Sequence, residues 1–167
     1  MKVCYDFLNS SYDISKLDFT EEDGTDPLLV DEFAKSKARS YHQNKLSTVR
    51  VVKYKDIVVG YFAVSMFSIS VEQLATDEKV SVATPLRYPS MLLGQLGVDK
   101  KYRGNGIAKE ICKFCLGLAQ DVGEKVACRY IVLQTNEKRT KLYEDYDFVR
   151  SPKKPDNGKI WMYTKLS

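Results

Sequence analysis

The 167-residue chain has a hydrophobic fraction of 44%, a charged fraction of 29% and a formal net charge of +4. That length suits one domain, residues 1–167, with a core of its own, and the composition lies away from the low-hydrophobicity, high-charge corner where chains stay disordered. Apolar runs fall short of the ~20 residues of a membrane helix and Met1 to Asp6 lacks a signal-peptide pattern, so the sequence reads as cytoplasmic with no membrane partner, its mild positive balance suiting an anionic one.

Val3 to Leu8 reads as a short strand or irregular arm, followed by an acidic loop around Glu21 to Asp26. Asp26 ahead of Pro27 marks a helix start. Leu28, Leu29, Phe33, Ala34 and Ala38 then recur at helical spacing, which predicts a helix from about Pro27 to Gln43. Ser47 to Tyr54 and Ile57 to Ser70, joined by Lys55-Asp56, carry a β-hairpin signature whose turn lacks the usual glycine. From Val71 to Ser90 the pattern breaks, with one helical turn near Glu72 to Thr76 and then Pro85 and Pro89; a connection of that length is uncommon unless it covers a site. Leu92 to Val98 is an apolar run of strand length. Asp99 to Gly106 turns it into a helix on which Ile107, Ile111, Phe114, Cys115 and Leu118 keep a period near 3.6, and Gly123 ends that region. Tyr130 to Gln134 reads as a buried strand, Asn136 as the cap of a helix through Tyr146, and Trp161 to Leu166 as a last strand.

Four cysteines, Cys4, Cys112, Cys115 and Cys128, are read as reduced thiols. Cys112-Lys113-Phe114-Cys115 spells C-x-x-C, but it falls inside an apolar helical pattern. No second pair exists and the single histidine, His42, is far away in sequence, so no metal is expected. The chemistry is sought instead in the strand, glycine loop and helix unit around Gly104 and Gly106. Such a unit presents backbone N–H groups at the positive end of a helix, where phosphate binds without side-chain charge, and Arg103 adds a cation. By itself G-x-G is a weak signal. The dinucleotide fingerprint fails because position 109 is Lys, and the P-loop fails for want of Gly-Lys-Ser/Thr.

Leu96-Gly97-Val98-Asp99 followed by Tyr102-Arg103-Gly104-Asn105-Gly106-Ile107-Ala108 resembles the GNAT acetyltransferase motif (Arg/Gln)-x-x-Gly-x-(Gly/Ala) with its preceding strand. Arg103, Gly106 and Ala108 fill its defined positions. The stretch from Asn136 to Phe148 is similar to the family's Asn-x(6)-Tyr-x-x-x-Gly-Phe ending, with Tyr143 at the tyrosine position. Asp147 stands where glycine is usual, and aspartate tolerates left-handed backbone better than most residues.

The resemblance, spanning about Ile57 to Leu166, implies an α/β fold with a mixed, mostly antiparallel central sheet flanked by helices and splayed at the acyl-CoA site. It implies an acyl-CoA-dependent N-acetyltransferase that moves an acetyl group from acetyl-CoA, the cosubstrate, to a primary amine by direct attack. The cofactor-binding residues it implies are Leu96, Gly97, Val98, Arg103, Gly104, Asn105, Gly106, Ile107, Ala108 and Asn136. In the family the loop amides hold the pyrophosphate, the backbone of Leu96 and Val98 pairs with the pantetheine arm, the Val98 N–H faces the thioester oxygen, and the strand matching Tyr130 to Gln134 splays away. Tyr143 becomes the catalytic general acid, because a phenol of pKa ~10 is protonated at neutral pH and can donate to the departing thiolate. No general base stands out: Gln95, where some relatives have a carboxylate, cannot take a proton, and Glu72, Asp77 and Glu78 lie on a polar loop.

Gly60 to Ser65 and Tyr88 to Asp99 resemble the toxin-type branch, whose members acetylate the amino group of aminoacyl-tRNA, an amine less basic than lysine. The cations Lys35, Lys37, Arg39, Lys45, Lys138, Arg139, Lys141, Lys153 and Lys154 would suit its phosphates, or form an ordinary solvated face. The competing acceptor is a small-molecule or peptide amine beneath Val71 to Ser90. A non-catalytic acyl-CoA sensor would keep the glycine loop without needing Tyr143. Dimerisation is common in proteins of this kind, so a homodimer is also compatible.

Overall fold

The computed structural model describes residues 2–80 and 86–167; Met1, and Pro85 with its neighbours in the long connection, lie outside the described residues. Its strands are β1 (Cys4–Phe7), β2 (Thr48–Tyr54), β3 (Ile57–Ser70), β4 (Arg87–Val98), β5 (Tyr130–Thr135), β6 (Val149–Arg150) and β7 (Ile160–Lys165). They form one seven-stranded sheet in the order β1-β2-β3-β4-β5-β7-β6. Pairing is antiparallel for β1–β2, β2–β3, β5–β7 and β6–β7 and parallel for β4–β5, the mixed, mostly antiparallel sheet expected. The helices are α1 (Val30–Ser36), α2 (Ala38–Gln43), α3 (Ile107–Lys125) and α4 (Thr140–Glu144). By contact density the chain divides into two compact units, Met1–Ser65 with Leu93–Ile111, and Met66–Leu92 with Cys112–Ser167.

In the first unit the core joins Val49, Val51, Tyr61 and Ala63 of the hairpin to Phe33, Ala34 and Ala38 of the helices, with Leu8, Ile14, Phe19 and Val30. Tyr61 is fully buried and spends its hydroxyl on the Val30 carbonyl at 2.6 Å. The hairpin turn falls on Lys55 and Asp56 as predicted, and both take left-handed backbone (φ 49° and 64°) without a glycine. The single helix predicted over Pro27 to Gln43 is instead two. Leu29 sits in the left-handed region at φ 57°, so the first helix starts at Val30, and Lys37 breaks the path between α1 and α2. Asp26 still caps, from farther out: its carboxylate accepts the N–H groups of Asp31 and Glu32 at 3.1 and 2.9 Å.

In the second unit Ile69, Leu74, Tyr88, Tyr130, Val132 and Tyr163 form one cluster, with Phe67 stacked on Trp161 at 5.3 Å. β4 begins at Arg87, five residues ahead of the predicted start. Pro89 lies in this strand and its carbonyl accepts the Arg129 N–H at 2.8 Å. Two 3₁₀ turns, Val71–Gln73 and Thr76–Glu78, replace the one expected turn. α3 runs past Gly123 to Lys125; a Cβ on Gly123 would stand 3.3 Å from the Cys128 carbonyl, so that glycine serves the close return of the chain rather than a helix stop. Asn136 does not cap a helix by its side chain. Its carbonyl accepts the Arg139 N–H at 3.0 Å, and α4 begins only at Thr140 with Arg139 at its N-cap. Asp147 takes the left-handed backbone (φ 65°) that its place in the motif requires. The two-residue β6 was too short to predict.

Candidate functional site

The end of β4 is organised by Asp99, an aspartate only 3% exposed. Its N–H donates to Val59 O at 2.8 Å, its Oδ1 caps the following turn by accepting the Lys101 N–H at 2.9 Å, and its Oδ2 accepts the Asp18 N–H at 3.1 Å. Lys100 returns the contact: its N–H donates to Asp18 O at 2.9 Å, and its Nζ reaches the Thr20 hydroxyl at 3.1 Å and the Asp18 carboxylate at 3.7 Å. Hydrogen bonds from Thr20, first among several causes, hold the Asp18 carboxyl below the usual range. Sequence reasoning missed this brace.

Beyond it the loop is pre-shaped by its own groups. Arg103 does not stand out as a free cation; its Nε donates to Val98 O at 3.2 Å and Nη1 meets Glu22 at 3.3 Å. The arginine thus ties the loop back to the strand that feeds it. Asn105 Nδ2 donates to Tyr102 O at 2.9 Å. Gly104 and Gly106 take φ 81° and 77°, and no atom lies within 4 Å of where either Cβ would stand. Here glycine is required by conformation, and the space it leaves is open. Ile107, 2% exposed, anchors the start of α3, whose first N–H groups have no acceptor within the helix.

Leu96 and Val98 are buried. Gly97 is required by packing: a Cβ there would meet Phe19, Val30 and Tyr61 side chains at 2.8, 2.8 and 3.0 Å. Its carbonyl oxygen in turn lies 2.5 Å from an ideal Cβ on Gly60, so β3 and β4 can approach only because Gly60 lacks one. The sequence carried no local signal of that pairing.

In the second unit, Tyr143 on α4 is 5% exposed. Burial, reinforced by the Cys112 and Cys115 thiols and opposed by Arg139, drives its phenol pKa well above the ordinary value; the group is protonated at neutral pH. At the end of β5, Asn136 Oδ1 and Thr135 Oγ1 are buried without a hydrogen-bond partner. Asn136 was predicted as a cofactor residue and Thr135 was not. Two of the three carboxylates considered as bases are otherwise engaged: Glu78 accepts the Tyr130 hydroxyl at 2.6 Å, and Glu72 pairs with Lys153 at 2.8 Å, which holds its pKa low. The segment bearing them is pinned from below, Ala75 N–H donating to the Tyr163 hydroxyl and Val80 N–H to the Tyr88 hydroxyl, both at 2.8 Å.

Residues 8–148 match the model of the acetyltransferase (GNAT) family. The chain belongs to the GNAT family. Among curated relatives it is 28% identical, over 77% of its length and 76% of the other's, to a probable toxin TacT of Sinorhizobium fredii. It is 26% identical, over 83% and 82%, to a tRNA-acetylating toxin of Mycobacterium tuberculosis. Among solved structures it superposes on AtaT complexed with acetyl-methionyl-tRNAfMet with a TM-score of 0.80 at 18% identity, covering 98% of this chain and 95% of that one. A bacterial toxin gives 0.84 at 13% identity, covering 99% and 91%; at these identities the likeness is one of fold. This GNAT protein is an acetyl-CoA-dependent N-acetyltransferase. The space over the Gly104 and Gly106 backbone is open, as a phosphate held by backbone N–H groups would need. Among the described residues no helix is long and apolar enough to cross a membrane, and no group of three His, Cys, Asp or Glu could hold a metal ion.

Proposed function

We propose that this GNAT enzyme acetylates the amino group of aminoacyl-tRNA in the cytoplasm, residues 1–167 acting as one catalytic domain. The observation that carries the acetyl-CoA half of this reading is the left-handed, unobstructed backbone at Gly104 and Gly106 directly ahead of α3. Loop amides from Arg103 to Ala108 would hold the pyrophosphate there, with Arg103 fixing the loop and not contacting phosphate itself. Leu96, Gly97 and Val98 would supply backbone to the pantetheine arm, and Asn136 its side-chain oxygen.

Tyr143 is assigned the general acid. The amine nitrogen attacks the thioester carbon, the C–S bond breaks, and the thiolate takes the phenol proton; the amine's surplus proton returns to the phenolate through water. A phenol whose pKa burial has raised stays protonated at neutral pH, the state a proton donor must be in. The engagement of Glu72 and Glu78 with other side chains agrees with an acceptor that needs no carboxylate base, as the less basic amine of an amino-acid ester would not.

The aminoacyl-tRNA half rests on likeness to the tRNA-acetylating toxin and to AtaT. The surface cations agree with it. Lys37, Lys141 and Lys153 sit in ion pairs with Glu32, Asp145 and Glu72, and exposed pairs of this kind are weak enough to be exchanged for phosphates; Lys35 is held by the half-buried Asp31. The test is transfer of labelled acetyl from acetyl-CoA to charged tRNA, deacylated tRNA, free amino acids and short peptides. Label in charged tRNA alone, released by mild base with the amino acid, is the expected result; label only in peptides or free amines would replace the acceptor.

A further inference from the structure

The cation beside the glycine loop already has an anion. Arg103, its side chain 25% exposed, is pinned through Nε to Val98 O at 3.2 Å, and its Nη1 lies 3.3 Å from the carboxylate of Glu22, 81 residues earlier in the chain. A closed turn presents that acid. The Glu21 N–H donates to Thr25 O at 2.7 Å, the Gly24 N–H donates to Glu21 O at 2.9 Å, and Asp23 accepts the N–H and the hydroxyl of Thr25 at 3.0 and 2.6 Å. The Glu22 side chain itself is 83% exposed, so water or another anion can replace it at Arg103. A carboxylate at this place opposes a phosphate approaching the Gly104 and Gly106 backbone, directly by its charge and indirectly by neutralising the neighbouring guanidinium.

We propose that Glu22 is a positioning residue that lowers the affinity for the cosubstrate: it holds Arg103 away from the pyrophosphate, so that binding proceeds against an ion pair already made. This rests on the acetyl-CoA reading given above, in which the glycine loop receives the pyrophosphate. An exposed pair changes an equilibrium by roughly fivefold at most, which moderates binding without preventing it. Acetyl-CoA and spent CoA carry the same pyrophosphate, so the contact that weakens one also hastens release of the other.

The test is calorimetric titration of CoA into wild type and Glu22→Gln, which keeps the size and removes the charge, at low and at high salt, with melting temperature as the check of fold. Glu22→Gln is expected to bind CoA about three- to fivefold more tightly at low salt and to lose that gain at high salt, because its Arg103 charge is uncompensated and open to screening. In an Arg103→Gln background, glutamine being the other residue the motif admits there, Glu22→Gln should change the affinity by less than about twofold. Weaker CoA binding by Glu22→Gln would make the ion pair a support for the loop, and equal binding at low salt would make it idle; either result overturns the proposal alone. The full gain persisting without Arg103 would overturn it too, since the effect would not pass through that residue. A wild type that binds no CoA would overturn it together with the reading on which it rests.

Discussion

Asp99 Oδ2 accepts the backbone N–H of Asp18 at 3.1 Å, across 81 residues of sequence, while the next residue, Lys100, donates its own N–H to the Asp18 carbonyl at 2.9 Å. The strand end that opens into the glycine loop is thereby fastened to both backbone groups of Asp18 in the N-terminal arm, once by a side chain and once by backbone. Asp99→Ala leaves the Asp18 and Lys101 N–H groups without their acceptor, a loss of about 2–4 kcal/mol for two such bonds to a charged group. The expected outcome is a melting temperature lowered by roughly 5–15 °C and weaker acetyl-CoA binding, read by thermal denaturation and calorimetry. An unchanged melting temperature would mean that the loop holds its shape without the brace.

Gly60 and Gly97 should differ in how badly they tolerate alanine. At Gly60 the new methyl meets a backbone oxygen at 2.5 Å, whereas at Gly97 it meets side-chain atoms of Phe19, Val30 and Tyr61 at 2.8 to 3.0 Å, which can shift without moving a strand. Overpacking typically costs about 1–3 kcal/mol. Gly60→Ala is expected at or above the upper end and Gly97→Ala below it, measured by urea denaturation. The reverse order would show that the two strands part more easily than the side chains rearrange.

For Gly104 and Gly106 the prediction separates conformation from space. Alanine at either fits the open volume but must hold a positive φ, which costs roughly 1–2 kcal/mol. Gly106→Glu adds bulk and negative charge where the pyrophosphate is placed. Alanine variants that are less stable yet still bind acetyl-CoA measurably, beside a folded Gly106→Glu protein that does not, are the expected set. Retained binding in Gly106→Glu would move the phosphate elsewhere.

Tyr143→Phe is expected to lower kcat by about 10²–10⁴-fold, with the KM for acetyl-CoA little changed and the fold intact. Equal turnover would remove Tyr143 as the acid. The same burial has a consequence for stability. Desolvation, the leading cause at each site, raises the pKa of Tyr61 and Tyr143 far above the ordinary value and pushes Tyr130 up to about 12. The folded chain keeps phenol protons that the unfolded chain releases near pH ~10, so stability is whole below that pH and falls as pH climbs toward the folded-state values. Each deeply buried phenol should contribute a slope of about 1.4 kcal/mol per pH unit there. Urea midpoints between pH 8 and pH 11 check this, and Tyr143→Phe should flatten the decline.

The glycine loop, the hairpin and the Asn136 to Phe148 ending were legible in the sequence because each depends on local backbone: positive φ, a two-residue turn, a tyrosine at fixed spacing from a left-handed position. Asp147 at φ 65° belongs with these. The long helix expected from Pro27 was divided because apolar spacing reports which face is buried and says nothing of a left-handed Leu29 ahead of it. β4 began early because Pro89 reads as a strand breaker until Arg129 is seen to use its carbonyl.

By itself the sequence determined the mixed α/β class and the glycine turn ahead of α3, and it marked Tyr143 as the candidate acid, all of which are written in neighbouring residues. Only the tertiary structure decided that Arg103 clamps Val98, that Asp99 reaches Asp18, that Gly60 makes room for the Gly97 carbonyl, and that Thr135 is left with an unmet hydroxyl. Such roles are set by which atoms meet or fail to meet once distant segments pack, and no spacing along the chain encodes them.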